Sequence, residues 1–207
     1  MGLTPSQTAP KRIGVFGGAF DPPHAAHAAL VRTAVANLQL DDLRVIPTGQ
    51  AWHKTVPLSP AHHRLAMAQL AFSGLPQVVI DPRETRRPGP SYTVETLREL
   101  KTQWPDSELF LVVGEDQAHA LPTWHAWSEV LQLAIICVAE RNDLTGASPR
   151  FSAPTTQALR FRRLPMPAMA VSATEIRAKI AAHQRVVPLV FEPVARYIDE
   201  HHLYQTT

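Results

Sequence analysis

Short apolar runs alternate with longer segments of helical periodicity along most of this chain. The runs predict strands at residues 13–16, 43–46, 78–80, 109–113, 133–139 and 159–164, and the longer segments predict helices at residues 24–40, 60–72, 92–104, 127–131, 172–183 and 193–202. Strands that alternate with helices in this way are typical of βαβ units. We therefore expect an α/β fold, a Rossmann-like doubly wound parallel sheet with helices on both faces.

Two segments do not follow this alternation. Residues 1–10 contain no periodic apolar pattern, and they predict a flexible N-terminal tail ahead of a single domain at residues 11–207. Residues 140–157 are polar and include glycine and proline, which predicts a mobile loop.

Length, charge and cysteine content narrow the function classes. A chain of 207 residues can bury one core, and its 20 basic and 18 acidic residues are spread along it, a balance that does not indicate an extended nucleic-acid surface. The single cysteine, Cys137, excludes an intrachain disulfide and a cysteine-based zinc site; within an apolar strand it predicts packing. No apolar run approaches the roughly 20 residues that span a bilayer, so we expect a cytoplasmic protein without a membrane partner.

The clearest chemical signal follows the first predicted strand. Gly17 and Gly18 let a ligand approach the backbone, and a helix that begins near His24 offers N–H groups to a phosphate. His24 and His27 are three residues apart, so both imidazoles project from one face of the first turn. In a doubly wound sheet the fourth strand borders the same crevice, so residues 114–116 are expected nearby. Asp21 is expected to cap or brace the loop.

Four segments carry a resemblance to a known family. Residues 17–27, GGAFDPPHAAH, resemble the GGxFDPxHxGH signature of the HxGH nucleotidyltransferase superfamily, and residues 171–177, VSATEIR, resemble its ISxTxIR signature. Residues 90–97, PSYTVETL, and 114–124, GEDQAHALPTW, are similar to the nicotinate-nucleotide adenylyltransferase family in particular. Two positions depart from that family's pattern: Ala26 replaces a glycine, and residues 51–54 read AWHK where the family commonly has Pro-Pro-His and a basic residue.

The resemblance implies a reaction and its residues. It implies transfer of the adenylyl group of ATP to nicotinate mononucleotide in NAD biosynthesis, by in-line attack without a covalent enzyme intermediate, giving deamido-NAD and pyrophosphate. The implied catalytic residues are His24, His27, Lys54 and Arg177. The implied ATP-binding residues are Gly17, Gly18, Phe20, His24, His27, Asp116, Ser172, Thr174 and Arg177, and those for nicotinate mononucleotide are Ser91, Tyr92, Thr93 and Trp124.

Each role has a chemical reason. Lys54 supplies a cation over the triphosphate, while the guanidinium of Arg177 can bind the leaving pyrophosphate through two N–H groups. Asp116 can accept hydrogen bonds from ribose hydroxyls, and Trp124 can stack on a pyridinium ring. The N–H groups at residues 91–93, at the predicted start of a helix, can meet the nicotinate carboxylate. Mg²⁺ is expected on the ATP phosphates and water, with no metal site built from the chain's own residues.

The residues leave alternatives open. A sister adenylyltransferase could act on nicotinamide mononucleotide or phosphopantetheine, and a non-catalytic protein of the same fold could only bind nucleotides. The oligomeric state is also open, with a homodimer among the alternatives.

Overall fold

A computed structural model describes residues 9–50, 58–140, 151–167, 169 and 171–205 of the chain. Within these residues the strands are β1 Arg12–Gly18, β2 Asp42–Pro47, β3 Val78–Ile80, β4 Glu108–Gly114, β5 Ala134–Glu140 and β6 Phe161–Pro165. All neighbouring strands are parallel, in the order β3-β2-β1-β4-β5-β6. The strand order reverses between β1 and β4, which confirms the predicted doubly wound sheet.

Helices cover both faces of this sheet. They are α1 Ala25–Leu38, α2 Ala61–Phe72, α3 Arg83–Arg86, α4 Thr93–Gln103, α5 Glu115–Ala120, α6 Trp127–Leu133, α7 Ala173–Ala181 and α8 Glu192–Glu200, with 3₁₀ turns at Leu121–Thr123 and Thr155–Arg160. Side chains alternate along a strand, so β4 contributes to two cores. Phe110 and Val112 pack with α1, α2, α7 and α8, whereas Leu109 and Leu111 pack with α4 and α6.

Some predicted boundaries were wrong. Gly17 and Gly18 continue β1 and pair with Ile46 and Pro47, where a loop was expected. The sequence Ser59-Pro60 predicts a helix that Ser59 caps and Pro60 begins. In the structure α2 begins at Ala61 with Pro60 as its N-cap, so Ser59 does not cap it. By contrast, the S-x-x-E spacing of Ser172 and Glu175 predicts a capped helix start, and this cap of α7 is confirmed, because Ser172 Oγ accepts the N–H of Glu175 at 3.1 Å.

Three short elements were not predicted, namely α3, α5 and the turn at Leu121–Thr123. Each is too short to show a helical repeat of apolar residues, and α5 follows β4 without a connecting loop. The expected mobile loop of residues 140–157 has its middle, residues 141–150, outside the described part of the chain, and its end forms the 3₁₀ turn Thr155–Arg160. The boundary between the tail and the domain stays a prediction, since residues 1–8 also lie outside that part.

Two further expectations concern individual residues and segments. Cys137 is buried in β5, and this burial raises the pKa of its thiol to about 12, so the predicted packing role is confirmed. Among the residues described, no helix combines the length and the apolar character that crossing a membrane requires.

Candidate active site

A cavity of about 490 Å³ opens at the carboxyl ends of β1 and β4. Its floor includes Val15 and Leu111 from these two strands. The predicted site residues that line it are Gly17, Gly18, His27, Ser91, Tyr92, Thr93 and Trp124. Thus the residues expected to bind ATP and those expected to bind the mononucleotide border the same cavity, although more than 60 positions separate Gly18 from Ser91 along the chain.

The histidine pair lies on one side of this cavity. The two rings stack with centroids 3.7 Å apart, and the backbone N–H of His24 donates to Nδ1 of His27 at 3.2 Å. His27 lines the cavity, whereas His24 is the N-cap of α1 and is buried. Burial lowers the pKa of His24 to about 4, so this imidazole is neutral at pH 7. A neutral imidazole still has one N–H to donate.

The start of α1 offers fewer free N–H groups than the sequence predicted. The N–H of Ala25 donates to the carbonyl of Leu189 at 2.9 Å, and that of His24 is used by His27. The expectation of several N–H groups for phosphate was therefore too generous, because a distant turn uses one of them. At Gly17 the backbone borders open space, since a Cβ there would meet no atom within 4 Å.

The β1–α1 loop, residues 19–24, is braced from within. Phe20 has a positive φ of 51°, and its ring is buried between Phe16 and Phe72 at edge-to-face geometry. The same ring lies 5.1 Å from that of His27. The ring of Phe20 is therefore turned into the core, where it supports His27, and the ATP contact implied for Phe20 stays a prediction.

Asp21 confirms its predicted bracing role. One carboxylate oxygen accepts the N–H of Ser59 at 3.1 Å, and the other accepts the hydroxyl of Tyr204 at 2.5 Å. Burial and the Asp21 charge raise the pKa of the Tyr204 hydroxyl, which therefore remains a donor. The backbone carbonyl of Asp21 accepts a hydrogen bond of 2.8 Å from Arg177.

Arg177 joins the second signature segment to this loop. A second N–H of its guanidinium lies 3.3 Å from Oγ1 of Thr174, also on α7. The start of α7, including Ser172, is thus held beside the β1–α1 loop although 156 positions separate Asp21 from Arg177. The remaining predicted catalytic residue, Lys54, lies outside the described residues.

The opposite side of the cavity is formed by α4 and the segment after α5. Tyr92 is the N-cap of α4, and Thr93 is its first residue. The ring of Tyr92 lies 4.6 Å from that of His125, which follows the half-buried Trp124. Oγ of Ser91 is buried without a hydrogen-bond partner among the residues that the structure describes. This side therefore combines aromatic surface with a free hydroxyl.

Comparisons with known proteins agree with this geometry. The model of the cytidylyltransferase-like family matches residues 15–179. A relative from Albidiferax ferrireducens, named a probable nicotinate-nucleotide adenylyltransferase, is 70% identical over 196 residues, which cover 95% of this chain and 99% of the relative. The chain belongs to the nicotinate-nucleotide adenylyltransferase family. This confirms the family that the four segments predicted.

More distant proteins extend the likeness. A relative from Methylibium petroleiphilum with the same name is 46% identical over 202 residues, covering 94% of this chain and 92% of the relative. The structure of Plasmodium falciparum nicotinic acid mononucleotide adenylyltransferase complexed with NaAD superposes with a TM-score of 0.75, over 94% of this chain and 97% of that one. At 18% identity this second likeness supports the fold alone.

In this adenylyltransferase the segment after β4 differs from the expected loop. Asp116 is exposed in the first turn of α5 and lies outside the cavity lining, whereas its neighbours Gly114 and Gln117 line it. The adjacent carboxylate, Glu115, is buried and accepts the N–H of Phe151 at 2.7 Å. Glu115 thus fixes the backbone at Phe151, whereas Asp116 remains accessible to solvent.

Sequence reasoning missed two charged residues near the cavity. Arg64 is buried in α2, and its signal was its position on the apolar stripe of Met67, Ala68 and Ala71, where a charge is unexpected. Glu84 lines the cavity and accepts the hydroxyl of Thr96 at 2.7 Å. Burial raises the pKa of the Glu84 carboxyl. Helix α3 carries Glu84 and has only four residues, so no periodicity marked it.

Proposed function

We propose that this protein transfers the adenylyl group of ATP to nicotinate mononucleotide, forming deamido-NAD and pyrophosphate. The observation that carries the proposal is the single cavity bordered by Gly17, Gly18 and His27 on one side and by Tyr92, Thr93 and Trp124 on the other. A dinucleotide needs one site for each half, with the reacting phosphates between them. The arrangement of these residues supports such a site, and the names of the relatives agree with it.

The chain positions the phosphates and needs no nucleophile of its own. An oxygen of the mononucleotide 5′-phosphate forms a bond to the α-phosphorus of ATP, and the bond from that phosphorus to the oxygen bridging to the β-phosphate breaks. The pyrophosphate leaves with that electron pair. Cys137, with its buried thiol, takes no part.

Histidine and arginine side chains stabilise the charge that this step develops. The imidazole of His27 donates to the phosphates from the cavity wall, and His24 fixes the orientation of His27 through their stacked rings. The guanidinium of Arg177, held beside Asp21, binds the departing pyrophosphate together with Thr174. Lys54, Ser172 and Asp116 complete the proposed ATP contacts. Donors that are fixed before the reaction stabilise a transition state without reorganising.

The mononucleotide occupies the other side of the cavity. Trp124 stacks on the pyridinium ring, and the N–H groups at the start of α4 face the ring carboxylate, beside Ser91 on the same wall of the cavity. An amide at that position carries no charge, so the acid is the better substrate.

Mg²⁺ enters as part of the ATP complex. No group of three or more His, Cys, Asp or Glu side chains in the described ranges could hold a metal ion. Asp21, the carboxylate in the β1–α1 loop, already binds Ser59 and Tyr204. The described residues do not fit a resident metal, so the Mg²⁺ that arrives with ATP stays on its phosphates, which the side chains named above bind and orient.

Turnover assays test the proposal directly. The protein is incubated with ATP, Mg²⁺ and either the acid or the amide mononucleotide, while released pyrophosphate and the dinucleotide are quantified. We expect both products, with a higher kcat/KM for the acid. No turnover with either mononucleotide contradicts the proposed function, and a preference for the amide contradicts the proposed role of residues 91–93.

A further inference from the structure

Arg64 is the most deeply buried charged side chain that the structure describes. It is 2% exposed, and its guanidinium donates to three backbone carbonyls: Ser59 at 2.9 Å, Ala19 at 3.0 Å and Gly49 at 3.1 Å. Burial lowers the pKa of Arg64, and the nearby charge of Asp21 opposes this effect. A buried guanidinium with all of its nitrogens bonded in this way is a structural connector.

The three carbonyls belong to three separate segments around the cavity. Ala19 directly follows Gly17 and Gly18, Gly49 follows β2, and Ser59 precedes α2. Gly49 also touches α3, because a Cβ on it would lie 2.2 Å from the carbonyl oxygen of Glu84. Arg64 therefore links the β1–α1 loop to the wall that contains Glu84.

Asp21 ties the same segments together a second time. Its carboxylate accepts the N–H of Ser59, so this residue is held at both its N–H and its carbonyl. The hydroxyl of Tyr204, from the segment after α8, binds the other carboxylate oxygen. Arg64, Asp21 and Tyr204 thus form one network, which we call the loop clamp.

Lysine cannot replace Arg64 in the loop clamp. An ammonium has a single nitrogen, whereas the planar guanidinium directs N–H groups in several fixed directions. The three N–H groups of an ammonium share that one nitrogen, whereas the carbonyls of Ser59, Ala19 and Gly49 each bond a different guanidinium nitrogen. We therefore expect a lysine to lose the connection to at least one of the three segments. The loop that places Gly18 and His27 would then be free to shift within the folded protein.

We infer that Arg64 is a positioning residue for adenylyl transfer, which acts through the loop clamp by holding the β1–α1 loop against the β2 end of the cavity. This inference rests on the proposed function, and it adds a residue that touches neither substrate. A misplacement of about 1 Å can lower a reaction rate by about a hundredfold, because in-line attack requires aligned groups. Binding of ATP, which uses many contacts, depends less on this alignment.

A pair of matched substitutions tests the inference. Arg64→Lys is compared with Arg12→Lys, since Arg12 also donates to a backbone carbonyl, that of Leu38 at 3.0 Å, but at the amino end of β1. We expect Arg64→Lys to lower kcat about 10- to 100-fold with a change in the KM for ATP of at most about threefold, and Arg12→Lys to leave both near the wild-type values. Equal effects of the two variants on kcat would overturn the inference.

A second variant separates positioning from general loss of stability. Tyr204→Phe removes only the hydroxyl that binds Asp21, and we expect it to lower kcat by about 3- to 10-fold. In the double variant with Arg64→Lys the two effects should combine to less than their product, because both release the same loop. If the double variant lowers kcat by the full product of the two single fold-changes, the two residues do not act through one loop clamp.

If Arg64→Lys does not fold, Tyr204→Phe alone tests whether the loop clamp positions the β1–α1 loop. Amide hydrogen exchange should then become faster at residues 19–24 and at Ser59 but not in β4 or β5. Unchanged kcat together with unchanged exchange at these residues would overturn the inference. Turnover by the wild-type protein is measured separately. If the wild type has no activity, the proposed function is contradicted; if the wild type is active and the variants behave like it, only the inference about the loop clamp is contradicted.

Discussion

Two surface ion pairs at the amino end of the sheet contrast with two buried residues beside the cavity at its carboxyl end. At the amino end, charges pair with one another at the surface: Lys11 lies 3.1 Å from Asp42, and Arg12 lies 2.8 Å from Glu108. At the carboxyl end, Arg64 is buried and binds backbone carbonyls, and His24 is buried and neutral. The charges at the amino end are thus satisfied by neighbouring side chains. The carboxyl end keeps side chains and backbone groups available around a cavity.

Removal of a donor at the carboxyl end should have the largest effect. We expect His27→Ala to lower kcat by about 10²- to 10³-fold and to weaken ATP binding much less, because the imidazole is aimed at charge that develops in the transition state. Steady-state kinetics with separate determination of the dissociation constant for ATP measures both. An equal loss in kcat and in ATP affinity would count against a transition-state role.

A crowded glycine at the carboxyl end should affect stability more than one in the middle of β1. In Gly49→Ala the new Cβ would lie 2.2 Å from the backbone oxygen of Glu84, which cannot move alone. In Gly14→Ala it would lie 2.5 Å from Cδ1 of Leu40, the end of a side chain that can rotate. We expect the free energy of unfolding to fall by about 2–3 kcal/mol for Gly49→Ala and by about 1 kcal/mol for Gly14→Ala.

Urea unfolding of these two glycine variants gives the comparison. The slope of the unfolding free energy against urea should stay the same, so that the midpoints report stability alone. Equal midpoints for the two variants would mean that α3 can move away from Gly49 at little cost.

Acid should weaken the protein through the buried histidine. The pKa of His24 is about 4 in the folded protein against 6.5 for the exposed side chain, so the unfolded chain binds more protons between these values. The contribution of His24 to stability is therefore complete above pH 6.5 and is lost as the pH falls towards 4. We expect the free energy of unfolding to be about 2 kcal/mol lower at pH 5 than at pH 7 from this residue.

His24→Asn isolates this contribution, because asparagine can cap a helix and does not titrate. The difference in unfolding free energy between the wild type and this variant is measured at pH 7 and at pH 5. A difference that stays the same at both values would show that His24 is not held neutral by burial.

The smallest effect is expected for an exposed ion pair at the amino end. Lys11→Ala removes the contact with Asp42, and we expect a change below about 1 kcal/mol in the free energy of unfolding and a kcat within about twofold of the wild type. Thermal unfolding and the turnover assay measure these two quantities. A loss of activity comparable to that of His27→Ala would remove the distinction between the two ends.

Much of the fold could be predicted because it depends on local periodicity. The apolar runs of β1, β4 and β5 and the helical spacing of α1 and α4 are visible within windows of about ten residues. The short helices α3 and α5 contain no full repeat of that kind, so the sequence did not reveal them. Pro60, and not Ser59, is the N-cap of α2. Ser59 instead contacts Asp21 and Arg64, and no local sequence pattern could predict these contacts.

The candidate site, like the fold, could be predicted from the sequence only in part. Four short segments of the sequence were sufficient to indicate the family and to select residues such as His27, Tyr92 and Trp124, which border one cavity. The resemblance also implied an ATP contact for Phe20, which stays a prediction; only the structure revealed that the ring of Phe20 is turned into the core.

The sequence by itself therefore determined the order of strands and helices, the two buried faces of the sheet and the edge at which the site lies. Only the tertiary structure decided the neutral state of His24, the use of Glu115 to hold the chain, and the loop clamp. The physical reason is that these properties depend on desolvation and on hydrogen bonds between residues far apart in the chain, 45 positions for Arg64 and Ala19 and 183 for Tyr204 and Asp21. Periodicity and short motifs describe neighbours in sequence, and only folding makes such distant groups neighbours in space.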